Sequence, residues 1–344
     1  MHSVKFGLFL TSEDIESAQQ SAIYAEGNGF YSVSFSDHLY SPIGELQSPQ
    51  FECFTALSVL ASITKNIKLV PTVAAASFRT PALLAKISST LDLASNGRFI
   101  CGLGAGWFSA EYKNHGYSFP SLSDRLEQLE ECVQVLKAMW MQEEPSFQGK
   151  HFSIQQAYNY PRPVQKPHPP LWIAAVTPTA IYHSVLKGYH VMTTPLRESL
   201  DAAMGQIDAF HEGVGDGGET AKDRKFSMLR MLYVAKDKAD AREKLEIANA
   251  NDQRFHNVYT TPGTVKNGAI TPIETNRTLE EVNGNLIIGS ADECIEKLMP
   301  YAERGLLDFL ANMSFGAPSR DVMGSMERFA RDVMPHFALV SREL

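Results

Sequence analysis

The chain has no cysteine pair spaced to clamp a metal or staple a short loop. Its four cysteines, Cys53, Cys101, Cys132 and Cys294, are scattered and include no CxxC. That spacing predicts reduced, buried thiols rather than a disulfide framework or a zinc site. A basic excess is also missing: 31 Lys and Arg face 39 Asp and Glu, a net charge of −8. A nucleic-acid partner needs a cationic stripe to displace counterions from the phosphates, so none is expected. No apolar run approaches the roughly 20 residues that span a bilayer. The opening Met1-His2-Ser3-Val4-Lys5 lacks a signal-peptide pattern, so a cytoplasmic protein without a membrane partner is expected. HExxH, the Walker loop and GxSxG are absent, and most histidines stand alone, so no metal site is expected.

What the chain does have is material for a large core, with 44% apolar and 20% charged residues over 344 positions. Short apolar, β-branched runs alternate with longer segments of helical period, the pattern of a parallel sheet wrapped by helices. Strands are predicted at 4–10, 31–36, 67–73, 98–103, 171–176, 189–193, 226–234 and 308–313. Helices are predicted at 13–28, 51–64, 81–94, 123–140, from Pro178, and at 199–212, 238–256, 291–304 and 320–334. In the 123–140 helix, Leu126, Leu129, Val133, Leu136 and Trp140 share one face. Gly213 to Gly218 is expected to be a loop tip, and 145–170 irregular and Pro-rich. Eight β/α units predict an α/β fold, a (β/α)₈ TIM barrel occupying 1–344 as one domain. Residues 258–285 are expected to be an insertion or lid with little structure of its own.

In such a barrel the chemistry lies on the loops that follow the strands, and four exits carry informative residues. Asp37-His38 follows the second strand. A histidine there can exchange a proton near neutrality, or it is a surface His beside a capping Asp. Thr72-Val73-Ala74-Ala75-Ala76 ends the third strand; side chains this small let a flat ring approach the backbone, or simply make a turn before Arg79-Thr80-Pro81. Gly102-Leu103-Gly104-Ala105-Gly106-Trp107 follows the fourth. Alternating glycines can aim backbone N–H groups at an anion, although glycines at strand exits are common without a ligand. Ala174-Ala175-Val176-Thr177-Pro178-Thr179 joins the fifth strand to a helix. Free N–H groups at that helix start suit a phosphate, and Thr177 before Pro178 is equally an ordinary N-cap.

Read in order, these exits resemble the luciferase-like flavin-dependent monooxygenase and oxidoreductase family over nearly the whole chain. The resemblance is carried by Lys5-Phe6-Gly7-Leu8-Phe9, Ser36-Asp37-His38-Leu39, Arg79-Thr80-Pro81, Ser95-Asn96-Gly97-Arg98-Phe99, Gly102 to Trp107 with Glu111, and Pro161 to Pro167. It implies a reduced flavin or deazaflavin in the barrel mouth, resting on Thr72 and Val73, the candidate for the family's cis peptide. Gly104, Ala105 and Tyr158 would border the ring. The phosphate would sit on the amides of Ala174, Ala175, Val176, Thr177 and Thr179. His38 would face the reacting centre as the catalytic residue, with Asp37 orienting it. Ala174-Ala175 replaces the Gly-Gly of many members, and Gly104-Ala105 replaces the reactive cysteine and arginine of luciferase itself, so the luminescent reaction is not implied.

Two enzymatic functions and one non-enzymatic function follow from the resemblance. The first is a monooxygenase that takes reduced FMN from a partner flavin reductase and uses O₂ to oxygenate a small organic substrate. The second is a hydride-transfer oxidoreductase using the deazaflavin coenzyme F-420. The third is a non-catalytic flavin-binding protein on the same scaffold. No strand-end lysine is placed for a Schiff base, which disfavours a barrel aldolase. A homodimer is implied by the family. The loops 40–50 and 258–285 are expected to shape the pocket.

Overall fold

The computed structural model describes residues 4–10, 14–42, 47–195, 199–260, 265–266, 269–273 and 277–339. Eight strand positions form: β1 (Lys5–Phe9), β2 (Ser32–Phe35), β3 (Lys68–Pro71, resuming at Ala74–Ala75), β4 (Cys101–Gly104), β5 (Leu171–Ala174), β6 (His190–Thr193), β7 (Phe226–Val234) and β8 (Asp308–Asn312). Successive strands are parallel neighbours, and β1 pairs with β8 from Lys5↔Asp308 to Phe9↔Asn312. β3 meets β4 twice, at Leu69↔Phe99 and, past its break, at Ala74↔Leu103 and Ala75↔Gly104. The sheet therefore closes on itself as the predicted (β/α)₈ barrel.

The helices are α1 (Ile15–Gly27), α2 (Cys53–Ile63), α3 (Pro81–Ala94), α4 (Ser109–Asn114), α5 (Leu122–Met141), α6 (Pro178–Leu186), α7 (Leu200–Ala221), α8 (Lys238–Thr260), α9 (Leu279–Gly284), α10 (Ala291–Glu303), α11 (Ser319–Arg328) and α12 (Met334–Leu339). A π-helical turn, Phe329–Val333, separates the last two. Their starts are written locally. Thr80 caps α3 by accepting the Leu83 N–H, with Pro81 at the first helical position, and Thr177-Pro178 repeats the device on α6. Ser290 and Glu293 form a capping box on α10.

Alternation along each strand divides the core. Phe6 and Leu8 of β1 face the helices, where Phe6 meets Phe309, Phe329 and Phe337 with ring centroids 5.9, 5.0 and 5.6 Å away. The opposite faces of the strands send Val70, Ile100, Trp172 and Met192 into the barrel interior, which is packed rather than open.

Two departures from the sequence reading have packing causes. Gly213 to Gly218 is no loop tip; α7 runs through it, with only Gly218 off the helical path at φ 51°. A Cβ on Gly213 would stand 2.9 Å from Val185 Cβ and 3.1 Å from the Tyr182 carbonyl oxygen, so the glycine permits close contact between α6 and α7. Leu126 does not share the buried face of Leu129, Val133, Leu136 and Trp140; it is half-exposed, because the stripe at this end of α5 faces solvent. The irregular stretch after α5 contains a small antiparallel hairpin, Phe147–Gln148 with Ser153–Ile154.

The departure with most bearing on function concerns α8, which crosses the barrel mouth. At one end Ala241 and Ala248 pack with Tyr233, Ile288 and Phe315 above the β7 exit. Fourteen residues along, on the order of 21 Å at the helical rise, Phe255 meets Trp107 at the β4 exit with ring centroids 5.5 Å apart. The insertion expected at 258–285 is thus already under way in α8. It continues through the antiparallel Val265–Lys266 and Ala269–Ile270, α9, and Ile287–Gly289, which joins β7 in parallel. Ile270 is buried against Tyr40 and Phe108. Residues 261–264, 267–268 and 274–276 of this segment, and 43–46 of the 40–50 loop, lie outside the described residues.

Candidate active site

At the β2 exit the chain turns His38 toward the mouth and Asp37 back into the scaffold. The His38 ring is mostly enclosed, with Trp107 edge-on at 5.6 Å and Phe108 at 6.5 Å. Its Nδ1 lies 3.0 and 3.2 Å from the two carboxylate oxygens of Glu111, which is 1% exposed. The Leu39 N–H donates to Glu111 Oε1 at 2.5 Å, so the carboxylate grips both the backbone and the ring of the His38 loop. Nδ1 is occupied in this way, and Nε2 makes no hydrogen bond among the described residues.

Asp37 does not orient His38. Its Oδ1 and Oδ2 accept from Arg79 Nη2 and Nη1 at 3.0 and 2.7 Å, and Oδ2 also accepts the Ala75 N–H at 3.0 Å. Arg79 further pairs with Glu52, and its guanidinium lies 4.8 Å over the Phe54 ring. The planar fork of arginine and the two-oxygen face of a carboxylate match, so this nearly buried pair ties the β2 exit to the β3 exit. The expectation failed because adjacency in sequence sends successive side chains to opposite sides of an extended chain. The residue that does hold His38, Glu111, comes from α4, 73 positions on; its one sequence signal was its place in the motif after Trp107.

Beyond Asp37 the β3 exit makes a shelf. The Thr72–Val73 peptide is cis. Val73 lies across β4: a Cβ on Gly104 would come within 2.7 Å of Val73 Cγ2 and 3.4 Å of Ala174 Cβ, and one on Gly102 within 2.3 Å of the Pro71 carbonyl oxygen. The β4 glycines therefore first make room for the β3 bulge, and the surface they complete with Val73 and Ala174 is flat and small-sided. Ala105, partly exposed, extends it along the rim. At Gly106, φ is +77° and a Cβ would strike the Tyr112 hydroxyl, which bonds Ser77 at 2.7 Å. Burial pushes the Tyr112 phenol up to about 12, so it stays a neutral prop. The Thr72 hydroxyl is buried without a hydrogen-bond partner, in a small interior cavity shared with Trp172, Met192, Ser227 and Asp308. That cavity opens toward Tyr31, Ser32, Ser227 and Asp308 at the starts of their strands, so the hydroxyl faces the barrel interior and not the rim. A flat ring system suits the rim for its small side chains and its aromatic walls at Trp107 and Phe108.

The amides at the β5 exit are less uniform than expected. The Ala175 N–H is spent on the Met192 carbonyl at 3.0 Å in the β5–β6 ladder, so it is not a phosphate donor. The Thr177 hydroxyl accepts the Ala180 N–H at 3.2 Å, and the Val176 carbonyl accepts from Gln206 at 2.6 Å. The Thr179 N–H, in the first turn of α6, has no intrahelical acceptor. Tyr158 is misplaced in the sequence reading. It is 54% exposed and donates to Glu144 Oε1 at 3.3 Å, beyond the C-terminal end of α5. Helices of the barrel run antiparallel to its strands, so that end of α5 lies at the foot of the barrel, away from the mouth.

With this geometry the chain can be compared with known proteins. A model of the luciferase-like monooxygenase family matches residues 3–308. The chain belongs to that family. Family membership makes it an oxidoreductase with relatives of two cofactor types. The oxygenase component of the flavin-dependent trigonelline monooxygenase of Acinetobacter baylyi is 25% identical, over 97% of this chain and 96% of the relative. The F420-dependent glucose-6-phosphate dehydrogenase of Amycolatopsis mediterranei is 24% identical over 91% and 92%. In fold, the chain is similar to the monooxygenase RslO1 from Streptomyces bottropensis, with a TM-score of 0.81 at 21% identity, covering 97% of this chain and 99% of that one. Among the described residues no helix is long and apolar enough to cross a membrane.

Proposed function

We propose that this luciferase-like protein is the oxygenase component of a two-component monooxygenase, taking reduced FMN from a separate flavin reductase and inserting oxygen from O₂ into a small organic substrate. The observation that carries the reading is the His38 imidazole, held by buried Glu111 beside a flat shelf of Val73, Gly104 and Ala174. The full-length similarity to a named oxygenase component supports it.

The residues divide the work. The shelf would hold the tricycle, and the amides of Val176, Thr177 and Thr179 would face its phosphate. When bound, reduced FMN supplies the two electrons that O₂ activation needs. Trp107, Phe108, Tyr40, Phe255 and Ile270 roof the site and exclude water, with α8 and the strand that carries Ile270 as the lid. His38 Nε2 moves the proton at the reacting centre. A reading as an F-420-dependent hydride-transfer enzyme draws on the same His38–Glu111 pair and on the dehydrogenase relatives.

Titration with reduced FMN and with reduced F-420 in separate anaerobic experiments, followed by O₂ and product analysis, tests the choice. Reduced FMN is expected to bind and to give oxygen-dependent product from a panel of small organic substrates; binding of F-420 alone refutes the FMN reading. His38→Ala should keep tricycle affinity and lower turnover by about a hundredfold or more. Unchanged turnover refutes the role given to His38.

A further inference from the structure

Among the described residues the Glu111 carboxylate makes three hydrogen-bond contacts and is 1% exposed, and these contacts bear on which ring nitrogen of His38 carries the proton. The Leu39 N–H donates to Oε1 at 2.5 Å, which commits that oxygen to accepting. Nδ1 of His38 stands 3.0 Å from Oε2 and 3.2 Å from Oε1, facing the carboxylate edge. An ionised carboxylate has lone pairs only and cannot donate. A neutral ring satisfies it by keeping its proton on Nδ1, which leaves Nε2 as a bare lone pair. Trp107 and Phe108 pack edge-on against the same ring and hinder its rotation.

We propose that Glu111 is a positioning residue that locks His38 in the Nδ1–H tautomer, so that the ring presents an unprotonated Nε2, a proton acceptor, to the mouth. Asp37, next to His38 in sequence, has no part in this because Arg79 and Ala75 occupy it. The proposal deepens the proton-transfer role given to His38 above and rests on that reading for its use in turnover. The tautomer itself does not depend on which tricycle the protein binds.

Glu111→Gln separates charge and donor pattern from shape. The carboxamide must keep its oxygen on the Leu39 N–H, since the flipped amide would set NH₂ against N–H. Its NH₂ then faces Nδ1, which has to accept, and the proton moves to Nε2.

The test is a nitrogen-15 spectrum of the imidazoles in the full-length protein, free of cofactor, at about pH 9, well above the ordinary imidazole range. His38 is assigned by its loss in His38→Ala. The wild type is expected to show a protonated, pyrrole-type Nδ1 and a pyridine-type Nε2, and Glu111→Gln the reverse. A protonated Nε2 in the wild type, or the same tautomer in both proteins, overturns the proposal. If Glu111→Gln does not fold, the wild-type spectrum alone still decides. Turnover is measured separately. Glu111→Gln should lower kcat by about a hundredfold or more while tricycle affinity holds. An inverted tautomer with unchanged kcat would refute the catalytic use of His38 and leave the positioning role standing, so the two failures are told apart.

Discussion

Replacing Arg79 with methionine removes a guanidinium but keeps most of the side-chain bulk over Phe54, so the loss is mainly electrostatic. Asp37 would then be left with a side chain 3% exposed and only the Ala75 N–H as partner. Removing one member of a buried ion pair typically destabilises by about 3–5 kcal/mol, because the survivor stays desolvated without its counter-charge. The second partner, Glu52, is 44% exposed, and a pair of that kind contributes roughly 0–1 kcal/mol. The expected loss for Arg79→Met is therefore about 3–5 kcal/mol. Asp37→Asn alone should also destabilise, and the double variant should lose less than the sum by more than about 0.5 kcal/mol. Urea unfolding with a refolding control measures all three. A penalty for Arg79→Met below about 1 kcal/mol, the range of an exposed pair, would refute the claim that this bridge fixes the β2 and β3 exits to each other.

Burial lifts the Asp308 carboxyl to about 6, against the opposing hydrogen bond from Ser227 at 2.9 Å. The folded chain holds this proton more tightly than the unfolded chain, so stability falls as pH rises from about 4 to about 6 and stays lower above. Asp308→Asn should gain on the wild type by roughly 3 kcal/mol over that rise; a difference in urea midpoints that is flat with pH counts against the buried charge. Burial also pushes the Cys132 and Cys294 thiols up to about 12 and those of Cys53 and Cys101 well above their ordinary value. A thiol-specific chromogenic disulfide should therefore label none in the native protein at pH near 8 and all four in urea; rapid native labelling would show that these sites open. Gly104→Ala places a methyl 2.7 Å from Val73 Cγ2. It should destabilise by about 1–3 kcal/mol through overpacking and weaken tricycle binding by tilting the shelf. Unchanged affinity, read by fluorescence titration, would remove Gly104 from the binding surface.

Local patterns in the sequence determined the barrel. Pro81 behind Thr80, Pro178 behind Thr177 and the nine apolar-rich residues of β7 each carry their own start or period, because caps and alternation act within a few residues. The rim positions of His38, Val73 and Gly104 follow from the same count, since a strand exit is a place along the chain. The tertiary structure alone decided the partners across the rim. Glu111 reaches His38 over 73 residues and Arg79 reaches Asp37 over 42, and no periodicity encodes contacts of that span. It also decided the path of α8, whose helical period was legible while its course across the mouth depended on Phe255 finding Trp107. The glycines of α7 read as a turn because composition is local, whereas the closeness of Val185 that makes Gly213 necessary is not. Pairing energies between groups distant in sequence exist only once the chain is closed, and for that reason the site residues were legible as positions and not as a hydrogen-bonded set.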